Sequence, residues 1–401
     1  MIDNLPKGWI EENISDVVFF QEGPGVRKTQ FTEKGVKLLN VGNINDNKIN
    51  LSKTKIYISE EEAYEKYNHF LVENGDLLIA CSGIVVNNFH KKIAFITEKD
   101  LPLCLNTSTM RFRTLDNKKL NINFYKYFLM TNIFKNQLQK LITGSAQLNF
   151  GPSHIKKMFI PIPQLQQQEK IVKVLDLTSN LIEKQKELLE KYDLFLKSKF
   201  IEMFGDPITN PMDWEVVKCI DVADCIVPGR DKPKSFTGNI PWITTGDLKD
   251  KGIISKSKEN IGLSQNEIKE VKAKLIPKNS VIFTCVGDLG ICSIINEDII
   301  MNQQLHSFQC KEKVNNIFLM FNITMQKSYM YKMATSTTVP YMNKTTCNNI
   351  PTILPPLELQ NKFASIVEKI EIIKEKENQK LKQLENLHNS LMQKAFKGEI
   401  E

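Results

Sequence analysis

The sequence predicts a mixed α/β (α+β) protein: two pseudo-repeated globular domains separated by two long antiparallel coiled-coil helices. Three observations predict it. Landmark segments recur at fixed offsets. Two stretches of about 40 residues, free of Pro and Gly, carry a helical apolar stripe. The segments before them are short apolar runs bounded by turn residues. The 401 residues are about twice one ordinary domain, and 41% hydrophobic against 25% charged residues suffices for two cores.

The first globular segment is placed at 5–163. It opens on Leu5-Pro6-Lys7-Gly8-Trp9, matched in the second, at 210–355, by Asn210-Pro211-Met212-Asp213-Trp214. Val41-Gly42-Asn43-Ile44 matches Thr245-Gly246-Asp247-Leu248 at an offset of 204. The run from Gly75 to Gly83 matches Asn279 to Gly287 at the same offset. Each reads as a turn, a short buried strand and a second turn.

Toward the ends of the halves the register is 192, without gaps: Thr143 with Thr335, Pro163 with Pro355, Gln168 with Gln360, Phe204 with Phe396. Here lie the helices, at 164–204 and 356–401. Ile171, Val174, Leu175, Leu181, Ile182, Leu188, Leu189, Tyr192 and Phe195 step by threes and fours in the first. Phe363, Ile366, Val367, Ile370, Ile373, Leu381, Leu384, Leu387 and Leu391 do so in the second. Each is roughly 60 Å long at 1.5 Å per residue. So long an apolar seam needs a partner, and the other copy, returning antiparallel, supplies it.

The net charge of +7 is uneven. Residues 1–163 carry 21 Lys+Arg against 16 Asp+Glu, and 205–355 carry 17 against 15, whereas both helical stretches are neutral. The positive surplus thus belongs to the globular segments, a modest pointer to a polyanionic partner. No run reaches the roughly 18 uncharged apolar residues that span a bilayer, and the start lacks a signal-peptide pattern, so a soluble cytoplasmic protein is expected. The eight cysteines form no C-x-x-C pair and the five histidines are scattered, giving neither a disulfide framework nor a metal set.

A catalytic centre is not evident. There is no P-loop and no G-x-G-x-x-G closing a strand. Glu267-Ile268-Lys269, with Asp247 and Asp250 upstream, resembles half of a nuclease site, but its polar surroundings read as a solvated helix face. What the halves offer instead is matched polar loops. Gly25-Val26-Arg27-Lys28-Thr29 and Gly229-Arg230-Asp231-Lys232-Pro233-Lys234 again differ by 204. Such cations on Gly-permitted turns suit phosphates and base edges. Before the helices stand Thr143-Gly144-Ser145-Ala146-Gln147 and Thr335-Ser336-Thr337-Thr338-Val339-Pro340-Tyr341, short hydrogen-bonding groups apt for reading bases; Lys91 and Lys92 add a basic loop to the first half alone. The candidate residues for contact with phosphates and bases are Arg27, Lys28, Thr29, Lys91, Lys92, Ser145, Gln147, Arg230, Lys232, Lys234, Thr337 and Tyr341.

These segments, with Ile240-Pro241-Trp242-Ile243-Thr244-Thr245-Gly246-Asp247-Leu248, the Pro-x-Pro-x-Leu-x-x-Gln run at Pro161–Gln168 and the terminal Leu391-Met392-Gln393-Lys394-Ala395-Phe396-Lys397-Gly398, resemble the DNA specificity (S) subunits of type I restriction-modification systems over nearly the whole chain. The family usually carries an acidic residue just before the Gln of the helix start; Gln167 and Leu359 stand there instead. The resemblance implies two target recognition domains reading the halves of a bipartite double-stranded DNA sequence. The helices would set the spacer and dock two modification (methyltransferase) subunits, and two restriction (translocase-nuclease) subunits would join them. It implies no catalytic residue and no cofactor in this chain; S-adenosylmethionine, ATP and Mg belong to the partners. Two other readings are open: a specificity subunit whose partner fuses methylation and cleavage, and a coiled-coil scaffold that binds no DNA.

Overall fold

A proline, a tryptophan and a left-handed glycine close each half of the molecule in the same way. In a computed structural model, which describes residues 5–52, 54–142, 147–229, 231–335 and 338–400, the chain forms two compact units. One is Met1–Lys184 with Lys380–Glu401, the other Gln185–Gln379. Four helices organise them: α1 (Ile122–Met130), α2 (Leu165–Phe204), α3 (Asn316–Met325) and α4 (Leu357–Ala395). The long helices α2 and α4 have 40 and 39 residues, as their uninterrupted stripes require, and each unit takes part of both. Among the described residues no helix is long and apolar enough to cross a membrane.

The first unit is built on a four-stranded antiparallel sheet of β1 (Val18–Glu22), β2 (Leu77–Ala80), β3 (Ile93–Phe95) and β4 (Thr109–Thr114), in the order β1-β4-β2-β3. Strand β2 is an unbroken apolar run because all four of its residues are buried. Helix α1 packs its Tyr125 against Phe112 of β4, and Phe396, just past α4, stacks 5.0 Å from Phe124. The second unit repeats the plan with β5 (Ala223–Asp224), β6 (Gly252–Ile254), β7 (Val281–Thr284), β8 (Cys292–Ile295) and β9 (Leu305–Cys310), ordered β5-β9-β7-β8-β6. Within this sheet, among the described residues, the β8–β6 pair is parallel and the others antiparallel. Phe204, ending α2, lies 4.8 Å from Phe318 of α3, the counterpart of Phe124.

The last turn of each long helix therefore plugs an aromatic into a core. Chain reversal there needs a positive φ: Gly205 (+76°) and Gly398 (+73°) supply it. A Cβ on Gly205 would stand 2.7 Å from Pro211 Cγ, and on Gly398 2.5 Å from Pro6 Cβ. This explains the recurring Pro before each Trp. Trp9 then packs on Phe124 and Phe396, while Trp214 Nε1 donates to Phe204 O at 3.1 Å.

At the first turn of each helix a buried glutamine repeats one hydrogen-bond set. Gln168 Oε1 accepts from Asn121 N (2.8 Å), and its Nε2 donates to Lys119 O and Pro163 O (both 2.9 Å). Gln360 Oε1 accepts from Asn315 N (2.9 Å), and its Nε2 donates to Lys313 O (3.2 Å) and Pro355 O (2.7 Å). Both side chains are 0% exposed. Each ties the helix start to the loop whose Asn side chain caps α1 or α3. The preceding residue can vary: Gln167 reaches Ile400 O at 3.3 Å, and Leu359 packs on the core.

Within each unit the long helices run antiparallel. In the first, Gln167 meets Ile400 and Thr178 Oγ1 lies 2.7 Å from His388 Nδ1. In the second, Gln185 donates to the Glu377 carboxylate at 2.7 Å, Lys374 to Asp193 at 2.6 Å, and Phe200 packs edge-on to Phe363. The stripe read from sequence is wider than this seam: Leu181, Phe195, Ile373 and Leu387 face solvent.

Replacing either buried glutamine by alanine strands backbone groups in a dry site, at a cost of about 3 kcal/mol. Gln168→Ala and Gln360→Ala should each lower the melting temperature by about 5 °C or more in thermal unfolding; a drop under about 1 °C would contradict the role assigned to the pair.

Candidate nucleic-acid interface

The two offsets of the repeat, 204 and 192, meet at one hydrogen bond in each unit. Cys81, following β2, accepts from Phe150 N at 3.0 Å; Cys285, following β7, accepts from Met342 N at 2.9 Å. The bond brings the turn after the central strand to the loop that precedes α2 or α4. Beside it, in both units, lies the Gly-containing loop after the first strand. Gly23 is pressed so close to the backbone of Asn106 that a Cβ would stand 2.3 Å from its nitrogen. Gly229 O accepts from Gln303 Nε2 at 3.2 Å.

In the first unit Arg27, Lys28 and Thr29 are exposed around a 3-10 turn, Lys28–Gln30. Gln30 fixes the turn: its Oε1 accepts from Arg27 N at 3.0 Å and its Nε2 donates to Glu62 (2.7 Å) and Tyr67 Oη (3.1 Å). Lys91 and Lys92 attach to a different turn. Lys91 pairs with Asp46 at 3.8 Å, while Lys92 donates to Asn45 Oδ1 at 2.6 Å and Val41 O at 3.3 Å. Through these two bonds Lys92 braces the turn, and partial burial lowers its pKa against the pull of Asp46. Ser145 lies outside the described residues. Gln147 pairs through its backbone with Val85, and its side chain is likewise outside the described part. The neighbouring Asn149 accepts from Gly83 N (2.9 Å) and Ser82 Oγ (3.0 Å), which pins that loop to the turn after β2.

In the second unit Lys232 and Lys234 are exposed, Lys234 3.9 Å from Glu270; Arg230 and Thr337 lie outside the described residues. Tyr341 is exposed, and its backbone bridges to Thr335 and Val286. It lines a cleft of about 430 Å³ together with Pro228, Gly229, Gln303, His306 and Lys344. The cleft thus joins the two loops singled out in sequence, the one before Arg230 and the one around Tyr341. His306 is buried at its floor, its Nε2 3.3 Å from Cys225 Sγ. Burial pushes this imidazole down to about 4, against the neighbouring Asn348 carboxamide, so it is neutral at pH 7. Gln303, His306 and Lys344 give no signal in the sequence because they are single residues in unremarkable company; only the fold gathers them.

The acidic cluster of the second half corrects an expectation. Glu267 is not on a solvated face: it is largely buried, and its carboxylate accepts from Ser235 Oγ (2.5 Å), Ser264 N (2.8 Å), Ser264 Oγ (2.9 Å) and Thr237 N (3.1 Å). These bonds hold its pKa down to about 2. Asp247 is spent likewise on Thr244, Ser257 and Lys258 N, and its counterpart Asn43 makes the same turn-closing bond to Asn40 N. Among the described residues no group of three His, Cys, Asp or Glu side chains is placed to hold a metal. Glu267 is therefore a helix-capping brace.

With a folded pKa below the unfolded one near 4.5, the stabilisation from Glu267 is complete above about 4.5 and is lost as pH falls toward 2. Glu267→Gln should melt below wild type at pH 7, the gap closing between about pH 4.5 and 2.5; equal melting temperatures at pH 7 would refute the brace.

Comparison with known proteins agrees with this architecture. The family model of the type I restriction modification DNA specificity domain matches twice, at residues 6–191 and 211–386. Two curated relatives come from Methanocaldococcus jannaschii. The type I restriction enzyme MjaVIII specificity subunit is 30% identical over 193 residues, a match spanning 47% of this chain and 44% of the relative. The MjaIX specificity subunit is 26% identical over 86% of this chain and 83% of its own. A chain solved in a study of complex assembly of the type I R-M system shares the fold, with a TM-score of 0.58 at 17% identity, covering 98% of this chain and 99% of that one. With two matches that take in most of its length, the chain belongs to the family of type I restriction-modification DNA specificity subunits.

Proposed function

We propose that this chain is the non-catalytic, sequence-specific DNA-reading subunit of a cytoplasmic type I restriction-modification complex, each unit recognising one half of an asymmetric bipartite target. The observation that carries this reading is the duplicated loop junction: one backbone framework, Cys81–Phe150 and Cys285–Met342, surrounded by different side chains in the two units. A constant frame with divergent lining is what two different half-sites demand. Arg27, Lys28 and Thr29 on the first unit, and Lys232, Lys234 and Tyr341 on the second, supply exposed phosphate- and base-directed groups. Lys91 is an outlying phosphate contact, and Lys92 supports it from beneath. Ser145, Gln147, Arg230 and Thr337 complete the set by their place in the same loops.

The long helices serve as the spacer and as the docking site for two modification subunits. At about 60 Å each exceeds the roughly 34 Å between half-sites one helical turn apart. Their exposed apolar positions repeat with the chain: Leu181 (43% exposed) and Leu387 (49%) on the first unit correspond, at the offset of 192, to Ile373 (38%) and Phe195 (47%) on the second. Two equivalent apolar patches suit two copies of one partner. S-adenosylmethionine, ATP and Mg act on the modification and restriction subunits, and this chain carries none of them.

DNA binding by the complex with its modification subunits tests the reading surface. Arg27→Ala with Lys28→Ala, and separately Lys232→Ala with Lys234→Ala, should weaken binding and flatten the plot of log affinity against log salt by about one unit for each phosphate that is no longer neutralised; unchanged affinity and slope would overturn the assignment. Leu181→Glu and Ile373→Glu should each reduce the number of bound modification subunits from two to one, read by mass, and the pair together should abolish binding. Two copies retained by the double variant would contradict the docking patches.

A further inference from the structure

The loop junctions share a backbone and differ in electrostatic sign. In the first unit Glu22, the last residue of β1, is half-buried beside the junction: a Cβ on Gly151, next to Phe150, would stand 2.9 Å from its Oε2. Burial raises its pKa, and the carboxylate adds to the burial that raises the Cys81 thiol. Thr107 and Gly25 complete the wall, a Cβ on Gly25 reaching Thr107 Cγ2 at 3.7 Å. In the second unit the cleft beside the junction holds a cation instead. Lys344, exposed and two residues beyond Met342, lines the cleft with Gln303. Burial raises the Cys225 thiol there, but Lys344 and Lys274 oppose it.

Resting on the DNA-reading role proposed above, we propose that the two junctions are base-reading sites of opposite polarity. Glu22 accepts from an amino-bearing base edge, cytosine N4 or adenine N6. Lys344, with Gln303, donates to the acceptor edge of guanine, N7 and O6. The major groove makes this distinction available: carboxylates pair with the cytosine amino group, and lysine with guanine O6 and N7. The bipartite target then contains an obligatory guanine in the half read by the second unit and an obligatory cytosine or adenine in the other. The cleft takes base edges and not a small-molecule ligand, because it is open toward the exposed Tyr341 and lies on the same loops as the phosphate-directed cations.

The test is a map of methylated adenines in cells carrying the complete complex with wild-type, Lys344→Glu or Glu22→Gln chain. Lys344 is exposed, so its substitution leaves folding intact. Lys344→Glu should turn one guanine of one half-site into cytosine or adenine, with at least a tenfold change in preference, and leave the other half unaltered. Glu22→Gln should relax one position in the other half-site. A Lys344→Glu target identical to wild type, both variants acting on the same half, or a wild-type target without that guanine would overturn the proposal while leaving the DNA-reading role in place. Absence of any bipartite methylation dependent on the wild-type chain would overturn that role, and this inference with it.

Discussion

The structure depends on a closure that is not local in sequence. Each unit is completed by an aromatic ring that arrives on the far end of a long helix: Phe396 enters the core around Trp9 and Phe124, and Phe204 the core around Phe318 and Phe363. Burying such rings contributes several kcal/mol of transfer free energy between them, more than any surface contact in either unit. Because the second segment of the first unit includes the end of α4, that unit cannot finish its core until α4 has been made. The helices are thus held at both ends, by aromatics at the finish and by buried glutamines at the start.

Polar groups in the seam add specification to this closure. An apolar stripe alone allows neighbouring registers of an antiparallel pair, whereas Thr178 with His388, Gln185 with Glu377 and Lys374 between Asp193 and Glu371 fit one register only. Such contacts cost desolvation and return uniqueness, the best-attested use of buried polar groups in helix pairs. If the helices serve as the spacer proposed above, uniqueness of register matters more than the last increment of stability.

How much of the molecule is legible in its sequence follows from which signals are periodic or repeated. The long helices, the duplicated landmarks and the fold class are readable because 3.6-residue periodicity and a fixed offset are carried by many residues at once. The Gly-containing loops are readable because they recur. Glu267 is misleading: its neighbours Lys269 and Glu270 are charged, yet the Ser264–Glu267 capping box turns it inward onto Ser235 and Thr237, contacts of about 30 residues' separation that no local pattern reports. Lys92 sits among the expected DNA-facing cations, but Asn45 and Val41 claim its ammonium group. Gln168 and Gln360 stand in a recognisable motif without a role, because their partners, the loops before α1 and α3, are more than forty residues upstream.

The central claim is that two copies of one framework each determine half of a DNA target while the chain itself performs no chemistry. The most direct measurement is the methylated-adenine map of cells whose chain carries the first globular segment, residues 5–163, in place of the second, 210–355. The account predicts a symmetric target in which one wild-type half-site occurs twice, inverted. The original asymmetric target persisting in that chimera would contradict it.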